Sequence, residues 1–299
     1  MIKDIRFGLI GAGRWGRVYI KTLAQFEGAK LALVASRNPE TSALVPSGCR
    51  VLEDWKALVA SPEIDAVIVA SPPSLHYEMG AAAIAAKKAV LMEKPLTDSL
   101  KDAEALLALA ESSGALVWVQ HTQLFHPAYR ELKKRARGIM AARSMGGNHG
   151  PFREGTPPLW DYAAHDLSIF LDLLGLPTSV LADRLPAETP DGELFELMLE
   201  HEGGVPTRAV VGNGMAKKAR RLEVDAEDGT YCFDEMKADK LTLSSRGKTQ
   251  SIPIDPTPPL TIALREFCAA LREGRHDLAP LKLGVEVVRA LEECSHAAH

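Results

Sequence analysis

Three ionisable side chains, Lys94, Asp161 and His165, stand in patterns that suit proton transfer to or from a hydroxyl group. Lys94 directly follows an apolar run in the tripeptide Glu93-Lys94-Pro95. A lysine at that position can hydrogen-bond a substrate hydroxyl, with Glu93 as its charge partner. His165 suits acid or base work near neutral pH, and Asp161 lies four residues before it, the spacing that places two side chains on one helix face. These residues point to acid–base chemistry.

Each of these residues also has a purely structural interpretation. Glu93 and Lys94 before a turn fit a surface ion pair, His165 fits a satisfied core histidine, and Asp161 fits a helix cap. His165 with Asp161 and Asp166 also suggests a metal site, although no further ligand spacing supports one. The sequence contains no Gly-x-Ser-x-Gly elbow and no Cys/His pair that would indicate a covalent nucleophile.

A glycine-rich turn near the start of the chain indicates a cofactor. An apolar run leads into Gly11, Gly13 and Gly16, and helix-forming sequence follows. Gly11 allows a sharp turn, Gly13 allows close approach of a pyrophosphate, and Gly16 allows the helix to pack against the strand. The helix N-terminus offers free N–H groups and a partial positive charge to the phosphates. The sequence therefore predicts a dinucleotide site, with a merely structural turn as the alternative.

The end of the next predicted strand bears on which dinucleotide is bound. An NAD site usually has Asp or Glu there to hold the ribose 2′-hydroxyl, whereas this chain has Ser36 and Arg37. Serine can donate a hydrogen bond to a 2′-phosphate, and arginine can pair with it. We therefore expect NADP in preference to NAD. The alternative is that Arg37 is solvated or stacks on the adenine.

Alternating strand and helix patterns predict a Rossmann-type domain over residues 1–121, built on a doubly wound parallel sheet. The carboxyl ends of its strands should converge on one cleft. After the first strand, further strands are expected at 30–36, 49–52, 66–70, 89–92 and 116–120, and helices at 17–26, 54–60, 75–87 and 99–113.

Residues 122–299 predict an α+β domain with an open, mainly antiparallel sheet. Seven short strand patterns between residues 179 and 254 read as a meander, with helices expected at 128–137, 163–174, 260–273 and 283–297. A strand is expected at 139–145. Residues 146–158 are polar and rich in Gly and Pro, so they predict a long loop with a functional role.

The totals exclude several classes of protein. With 299 residues, 46% hydrophobic and 25% charged residues and a net charge of -4, the chain gives no electrostatic case for nucleic acid or an anionic membrane as a partner. The four cysteines are far apart and indicate neither zinc nor a disulfide framework. No apolar run suits a signal peptide or a membrane helix, so we expect a reducing cytoplasm.

Five segments in order resemble the glucose-fructose oxidoreductase/inositol dehydrogenase family, often called Gfo/Idh/MocA. They are GAGRWG at 11–16, ASPPSLH at 70–76, MEKP at 92–95, FHPAYRELK at 125–133 and WDYAAHDLSIFLDLLG at 160–175. The resemblance covers nearly the whole chain and implies an NAD(P)-dependent dehydrogenase or reductase acting on a sugar, polyol or nucleotide sugar. The segments HTQLFHPAYRELK and LWDYAAHDLS resemble the branch that contains nucleotide-sugar 3-dehydrogenases.

The resemblance also implies roles for individual residues. Lys94 matches the family lysine that contacts the reacting hydroxyl, His165 the catalytic histidine and Asp161 the nearby acid of the substrate site. The residues expected to hold the cofactor are Gly11, Gly13, Arg14, Trp15, Gly16, Ser36, Arg37, Ser71, Pro72, His76, Glu93 and Lys94. From position alone, His76 could instead cap its helix, and the roles of His121 and His126 stay open.

Three functional hypotheses follow. The first is an oxidoreductase that interconverts a hydroxyl and a ketone by hydride transfer, with His165 moving the hydroxyl proton and Lys94 assisting. The second is a non-catalytic NADP-binding sensor or partner protein on the same fold. The third is an enzyme that uses transient oxidation for a redox-neutral reaction such as hydrolysis. The exposed sheet of the second domain predicts a homo-oligomer, as the resemblance to the family also implies.

Overall fold

The computed structural model describes residues 4–150 and 155–298, which form two compact units. Within these ranges, the first unit contains residues 4–120 and Leu260–Val285, and the second contains residues 121–150, 155–259 and 286–298. The domain bounds 1–121 and 122–299 stay a prediction.

The first unit is built on a six-stranded sheet in which every pair of neighbouring strands is parallel, in the order β3-β2-β1-β4-β5-β6. Its central strands are apolar and buried along their whole length, as expected where helices cover both faces. The strands are β1 (Ile5–Ile10), β2 (Ala29–Ala35), β3 (Arg50–Leu52), β4 (Ala66–Val69), β5 (Ala89–Glu93) and β6 (Val117–Gln120). The predicted doubly wound parallel sheet is confirmed.

Four helices connect these strands, and their ends follow local sequence signals. The helices are α1 (Arg14–Leu23), α2 (Trp55–Ala60), α3 (His76–Ala85) and α4 (Leu100–Ser113). The Asp54 carboxylate accepts from Lys56 N–H at 2.8 Å to cap α2, and Ser99 Oγ caps α4. Gly114 ends α4 with a φ of 66°, the left-handed conformation that glycine adopts without strain.

A helix from late in the chain completes the core of the first unit. In α7 (Pro259–Arg272), the buried Phe267 ring packs 6.1 Å from the Phe7 ring and 5.7 Å from the Trp118 ring, measured between centroids. Burying such a side chain contributes about 1.5–3 kcal/mol. This apolar contact joins α7 to β1 and β6, although Phe267 lies 260 positions after Phe7 and 149 positions after Trp118.

The second unit contains an eight-stranded sheet in the order β14-β13-β12-β11-β7-β10-β9-β8. All of its pairs are antiparallel except β7 with β10, which confirms the prediction of a mainly antiparallel sheet. The strands are β7 (Ala141–His149), β8 (Pro177–Leu185), β9 (Leu194–His201), β10 (Val205–Gly212), β11 (Gly214–Ala226), β12 (Gly229–Asp234), β13 (Leu241–Ser245) and β14 (Lys248–Ser251).

The prediction of a loop over residues 146–158 is wrong at both ends. Strand β7 continues to His149, and the next helix already begins at Pro158. Gly146 and Gly147 lie within the sheet, at positions where neighbouring groups leave no room for a side chain. A Cβ on Gly147 would lie 2.6 Å from Gly212 O. Glycine here marks a close approach and not a turn. Residues 151–154 of this predicted loop lie outside the described residues.

One face of the second sheet is covered by helices. They are α5 (Pro127–Arg135) and α6 (Pro158–Leu174), and α6 in turn contacts α8 (Ala279–Ala297), where Trp160 Nε1 donates to Ser295 Oγ at 2.9 Å. The other face carries exposed apolar residues, including Met145 and Leu181. Charged side chains lie among them. No helix in the described ranges is long and apolar enough to cross a membrane.

Helix α5 begins at a histidine cap. His126 Nδ1 accepts from Ala128 N–H at 3.1 Å, and its ring lies 4.5 Å from the Phe233 ring. Burial lowers the pKa of His126 below its usual value of 6.5, while Glu235 raises it and Lys240 lowers it further. A nitrogen that accepts a hydrogen bond must be unprotonated, so the cap requires the neutral ring.

Acidification is expected to weaken this cap. Because the pKa of His126 is lower in the folded chain than in the unfolded chain, the unfolded chain takes up the proton first. The stabilisation is therefore complete above pH 6.5 and is lost as the pH falls below that value. Loss of an N-cap costs about 1 kcal/mol, and urea unfolding across a series of pH values measures it.

Two variants separate the cap from the other histidines. His126→Asn keeps an oxygen acceptor that does not titrate, so its free energy of unfolding should fall less than that of the wild type between neutral pH and about pH 5. His276→Asn, at an exposed position, is the matched control and should keep the wild-type pH dependence. The interpretation is contradicted when His126→Asn and the wild type lose the same stability.

Candidate active site

The glycine turn between β1 and α1 leaves room for a ligand at one point. Gly11 has a φ of +95°, and a Cβ there would lie 2.5 Å from Ala70 O. A Cβ on Gly16 would lie 2.0 Å from Gly11 O, so α1 can start this close to the turn only with glycine. Around Gly13, at the helix N-cap, no described atom lies within 4 Å of the point that a Cβ would occupy. The turn therefore exposes N–H groups at an open helix N-terminus, as a pyrophosphate requires.

Two expected cofactor residues follow Gly13 in the first turn of α1. Arg14 is exposed and Trp15 is half-buried. Gly16 accounts for the close helix–strand approach that the sequence analysis expected, although the nearest group is the backbone carbonyl of Gly11 and not a side chain of the strand.

The end of β2 presents a hydroxyl and a guanidinium without a carboxylate. Ser36 Oγ accepts from Asn38 N–H at 3.2 Å and from the Thr41 hydroxyl at 2.8 Å, so its own hydrogen is left to donate. Arg37 is exposed, and the described residues give it no ion pair. The Glu40 carboxylate lies 3.9 Å from Arg17. An anionic group would meet donors at this strand end.

His76 joins two strand ends of the first unit. It is fully buried, its Nε2 lies 2.9 Å from Ser71 O, and its Nδ1 lies 3.0 Å from Pro95 O. Burial lowers the pKa of His76, and these carbonyl groups oppose the shift. A neutral ring carries one N–H and can donate to one side at a time. His76 thus connects the loop after β4, with half-buried Ser71 and exposed Pro72, to the turn after β5.

Glu93 and Lys94 are buried at the carboxyl end of β5, where they are 4% and 8% exposed. This burial contradicts the alternative of a surface ion pair. Glu93 Oε1 accepts from the hydroxyl of Tyr19, on α1, at 2.8 Å, and Glu93 Oε2 accepts from Lys94 N–H at 3.3 Å. The Lys94-Pro95 peptide bond is cis. A lysine placed here adds a positive charge to the same sheet edge as the glycine turn.

Asp161 and His165 lie on one face of α6 in the second unit. Because α6 begins at Pro158 and not near residue 163, Asp161 is inside the helix, in its first turn, where the helix dipole favours a carboxylate. Both side chains are more than nine-tenths buried. The i, i+4 relation predicted from sequence is therefore present in the structure.

Several residues of this region have no sequence pattern that would predict a role in the site. Tyr19 is fully buried, which its place on the apolar face of α1 indicates, but its bond to Glu93 spans 74 residues. Arg220 and Glu235 line a cavity beside His165 and carried no motif. His121 is buried, and His126 serves as a helix cap. Within the described ranges, no group of three His, Cys, Asp or Glu residues could hold a metal ion.

Comparison with known proteins connects these features to a family. Residues 5–121 match the model of an oxidoreductase family with an NAD-binding Rossmann fold, GFO_IDH_MocA. A solved structure, a putative oxidoreductase from Magnetospirillum magnetotacticum MS-1, is 44% identical with a TM-score of 0.90 and covers 98% of this chain and 100% of its own.

Three curated relatives are similar over most of the chain. A 4-carboxy-2-hydroxymuconate-6-semialdehyde dehydrogenase from Sphingobium sp. is 26% identical over 97% of each chain. The NADP(+) scyllo-inositol 2-dehydrogenase IolU from Bacillus subtilis is 26% identical over 91% of this chain and 89% of its own. A UDP-N-acetylglucosamine 3-dehydrogenase from Acidithiobacillus ferrooxidans is 29% identical over 75% of this chain and 72% of its own.

The strand–glycine–helix turn lies in the segment that matches the family model, and the Sphingobium and IolU relatives, which extend over both halves of the chain, are dehydrogenases. The resemblance found in the sequence is thereby confirmed. The chain belongs to the Gfo/Idh/MocA family of NAD(P)-dependent oxidoreductases.

Proposed function

We propose that this chain interconverts a hydroxyl group and a ketone on a sugar, polyol or nucleotide sugar, with NADP preferred to NAD. The observation that carries the proposal is the pair Asp161 and His165 on one face of a buried helix turn, in a chain that also buries Lys94 at the edge of a dinucleotide-binding sheet. Burying ionisable side chains costs free energy because they lose their hydration. Their retention at these positions favours a chemical role.

The residues at the glycine turn suit a dinucleotide. Gly11, Gly13 and Gly16 leave space and N–H groups for a pyrophosphate, and Arg14, Trp15, Ser71 and Pro72 are the neighbouring side chains that we assign to the cofactor. When bound, nicotinamide accepts or supplies the hydride. Glu93 holds Tyr19 and Lys94 N–H, so its role is to fix the shape of this edge.

His165 is assigned as the acid or base for the hydroxyl proton, with Asp161 one helical turn away to orient it or to hold a substrate hydroxyl. Lys94 is assigned to hydrogen-bond the reacting oxygen, where its ammonium group stabilises developing negative charge. Each assignment is made to the residue within its own unit: Lys94 in the first unit, and Asp161 and His165 in the second.

The carbohydrate class is supported by the relatives. IolU is named for scyllo-inositol, and the Acidithiobacillus protein is named for a nucleotide sugar. The Sphingobium relative is named for a semialdehyde that carries carboxyl groups, so an acidic substrate is the competing class. A screen of polyols, free sugars, nucleotide sugars and carboxylated aldehydes against both cofactors distinguishes the classes.

We also propose a homo-oligomer in a reducing cytoplasm. The four cysteines are free. The open face of the second sheet shows Met145 and Leu181 with about half of their surface exposed, among ion pairs such as Arg143 with Glu223 at 2.6 Å. Exposed apolar side chains spaced among paired charges on an open sheet face suit a self-complementary contact.

Removing either His165 or Lys94 should reduce turnover. His165→Ala and Lys94→Met are each expected to lower kcat by about 10²- to 10⁴-fold, and the Kd for NADPH of His165→Ala should change less than about threefold. Lys101→Met, at an exposed position on α4, is the matched control. Wild-type turnover in His165→Ala would remove the assignment.

Removing the guanidinium beside the β2 end should weaken binding of NADPH selectively. A charge-assisted hydrogen bond contributes about 1.5–3 kcal/mol, so Arg37→Ala should raise the Kd for NADPH by about tenfold or more and leave the Kd for NADH unchanged. Lys30→Ala, at the opposite end of the same strand, is the matched control. Tighter binding of NADH than of NADPH by the wild type would contradict the preference.

A charge on the open sheet face should shift the oligomeric state. Sedimentation of the wild type is expected to give a species larger than the 299-residue monomer, and Leu181→Asp is expected to move it toward the monomer. Gln25→Asp, at an exposed position of the first unit, adds the same single negative charge and is the control. A monomeric wild type at micromolar concentration would contradict the proposal.

A further inference from the structure

A small cavity lies beside His165 within the second unit. Its volume is about 20 Å³, which is enough for one water molecule and too small for a substrate. The polar residues that line it are Gln123, His165, Asp166, Arg220, Arg221 and Glu235. A cavity of this size with several polar neighbours satisfies the conditions under which proteins hold a single buried water.

A water molecule in this cavity would supply the hydrogen bond that the buried Asp166 carboxyl group lacks. Its side chain is 5% exposed, and its Oδ2 atom has no hydrogen-bond partner among the described residues. Leaving a buried acceptor unsatisfied costs its full desolvation free energy, so such an atom requires a partner. Burial raises the pKa of Asp166, while Arg220 and the Ser144 hydroxyl act in the opposite direction. The carboxyl group is thus closer to accepting a proton than an exposed aspartate is.

Gly146 makes the position of Asp166 possible. A Cβ on Gly146 would lie 2.6 Å from Asp166 Oδ2 and 2.8 Å from Arg220 Nη1. The carboxylate and the guanidinium therefore approach the same point above strand β7. The Arg220 guanidinium also lies 5.9 Å from the centre of the Tyr162 ring. These contacts fix the positions of Asp166 and Arg220, which both line the cavity.

The remaining wall of the cavity includes Glu235, which is partly exposed to solvent. Glu235 is half-buried, its N–H donates to Arg220 O at 3.0 Å, and its Oε1 accepts from Gln123 Nε2 at 2.8 Å. Glu235 also raises the pKa of Asp166 through its negative charge. The cavity thus has a buried acid on one side and a carboxylate that reaches solvent on another.

We propose that one water molecule binds in this cavity and carries the proton of His165 to Asp166. During oxidation of a substrate hydroxyl, the protonated imidazole gives its N–H proton to the water oxygen, and that water gives one of its own protons to Asp166 Oδ2. His165 returns to the neutral ring, Asp166 becomes a carboxylic acid, and the water is unchanged. Asp166 then loses its proton by way of Glu235 to solvent, and reduction runs the same path in reverse. The step rests on the proposed role of His165 as the acid or base.

The charged and titratable groups that face Asp166 are few. His165 is on its own helix, Arg220 and Arg221 come from β11, and Glu235 comes from the segment after β12. Asp166 is in this arrangement a positioning and relay residue. It is not one that touches the substrate.

The water itself can be tested without a substrate. A high-resolution crystal structure of the wild-type protein is expected to show one ordered water within hydrogen-bond distance of Asp166 Oδ2. A dry cavity, or a side chain that fills it, overturns the proposal.

The relay is tested by kinetics on three variants with the substrate that the screen yields. Asp166→Asn keeps the size of the side chain but cannot take up the proton, so kcat should fall about tenfold or more, KM should stay within about twofold, and the solvent isotope effect on kcat should increase. Asp172→Asn, on the same helix, removes the carboxylate that pairs with Lys133 at 2.8 Å and is the matched control. Its isotope effect should match that of the wild type.

Wild-type kcat in Asp166→Asn overturns the relay, and so does an equal change in Asp166→Asn and Asp172→Asn. His165→Ala, measured in parallel, separates the two ideas, because wild-type turnover in that variant removes the proposed function itself. Should Asp166→Asn fail to fold, Gly146→Ala displaces the same carboxylate and is expected to give the same loss of kcat.

Discussion

The first unit depends on one backbone contact that leaves no room for a side chain. A Cβ on Gly16 would lie 2.0 Å from Gly11 O, so α1 can start beside the end of β1 only because both positions are glycine. One turn later on the same helix, Tyr19 reaches Glu93, and Glu93 in turn holds Lys94 N–H. The close approach therefore fixes the helix N-terminus and, through Tyr19, the lysine at the end of β5.

The second unit depends on a helix that is buried on nearly all sides although it carries ionisable groups. Asp161, His165 and Asp166 are each at least nine-tenths buried in the first half of α6. Apolar residues at these positions would cost less to bury, because a charged or polar group loses its hydration. The helix retains them next to a water-sized cavity whose wall includes Arg220 and depends on Gly146. A cost of this kind is typical of positions where function overrides stability.

Local signals were enough to predict much of the fold. The caps at Asp54, Ser99 and Gly114 act within one turn of sequence, and the structure has each of them. The helix that carries His165 was predicted to begin five residues late, because the loop assigned before it relied on Gly and Pro content. Gly146 and Gly147 lie inside a strand, where glycine makes room for neighbours that are distant in sequence. Only the folded sheet reveals that reason.

The same distinction between local sequence signals and long-range contacts applies to the candidate site. The glycine turn and the pair Asp161 and His165 have characteristic spacings that a sequence displays. The bond between Tyr19 and Glu93 and the approach of Asp166 to Arg220 join residues 74 and 54 positions apart, and neither has a spacing that a sequence can show. Long-range polar contacts of this kind depend on the packing of several elements at once.

The central claim is that this chain transfers a hydride between a carbinol carbon and nicotinamide. The most direct measurement is mass spectrometry of the product formed from a ketone substrate and NADPH deuterated at the transferable position of C4. The account predicts one deuterium on the new carbinol carbon, and about 10²- to 10⁴-fold less of this labelled product from the His165→Ala variant over the same time. Two results would contradict the account. One is NADPH that binds but transfers its label to no ketone of the substrate classes in the screen, and the other is a product formed without the label.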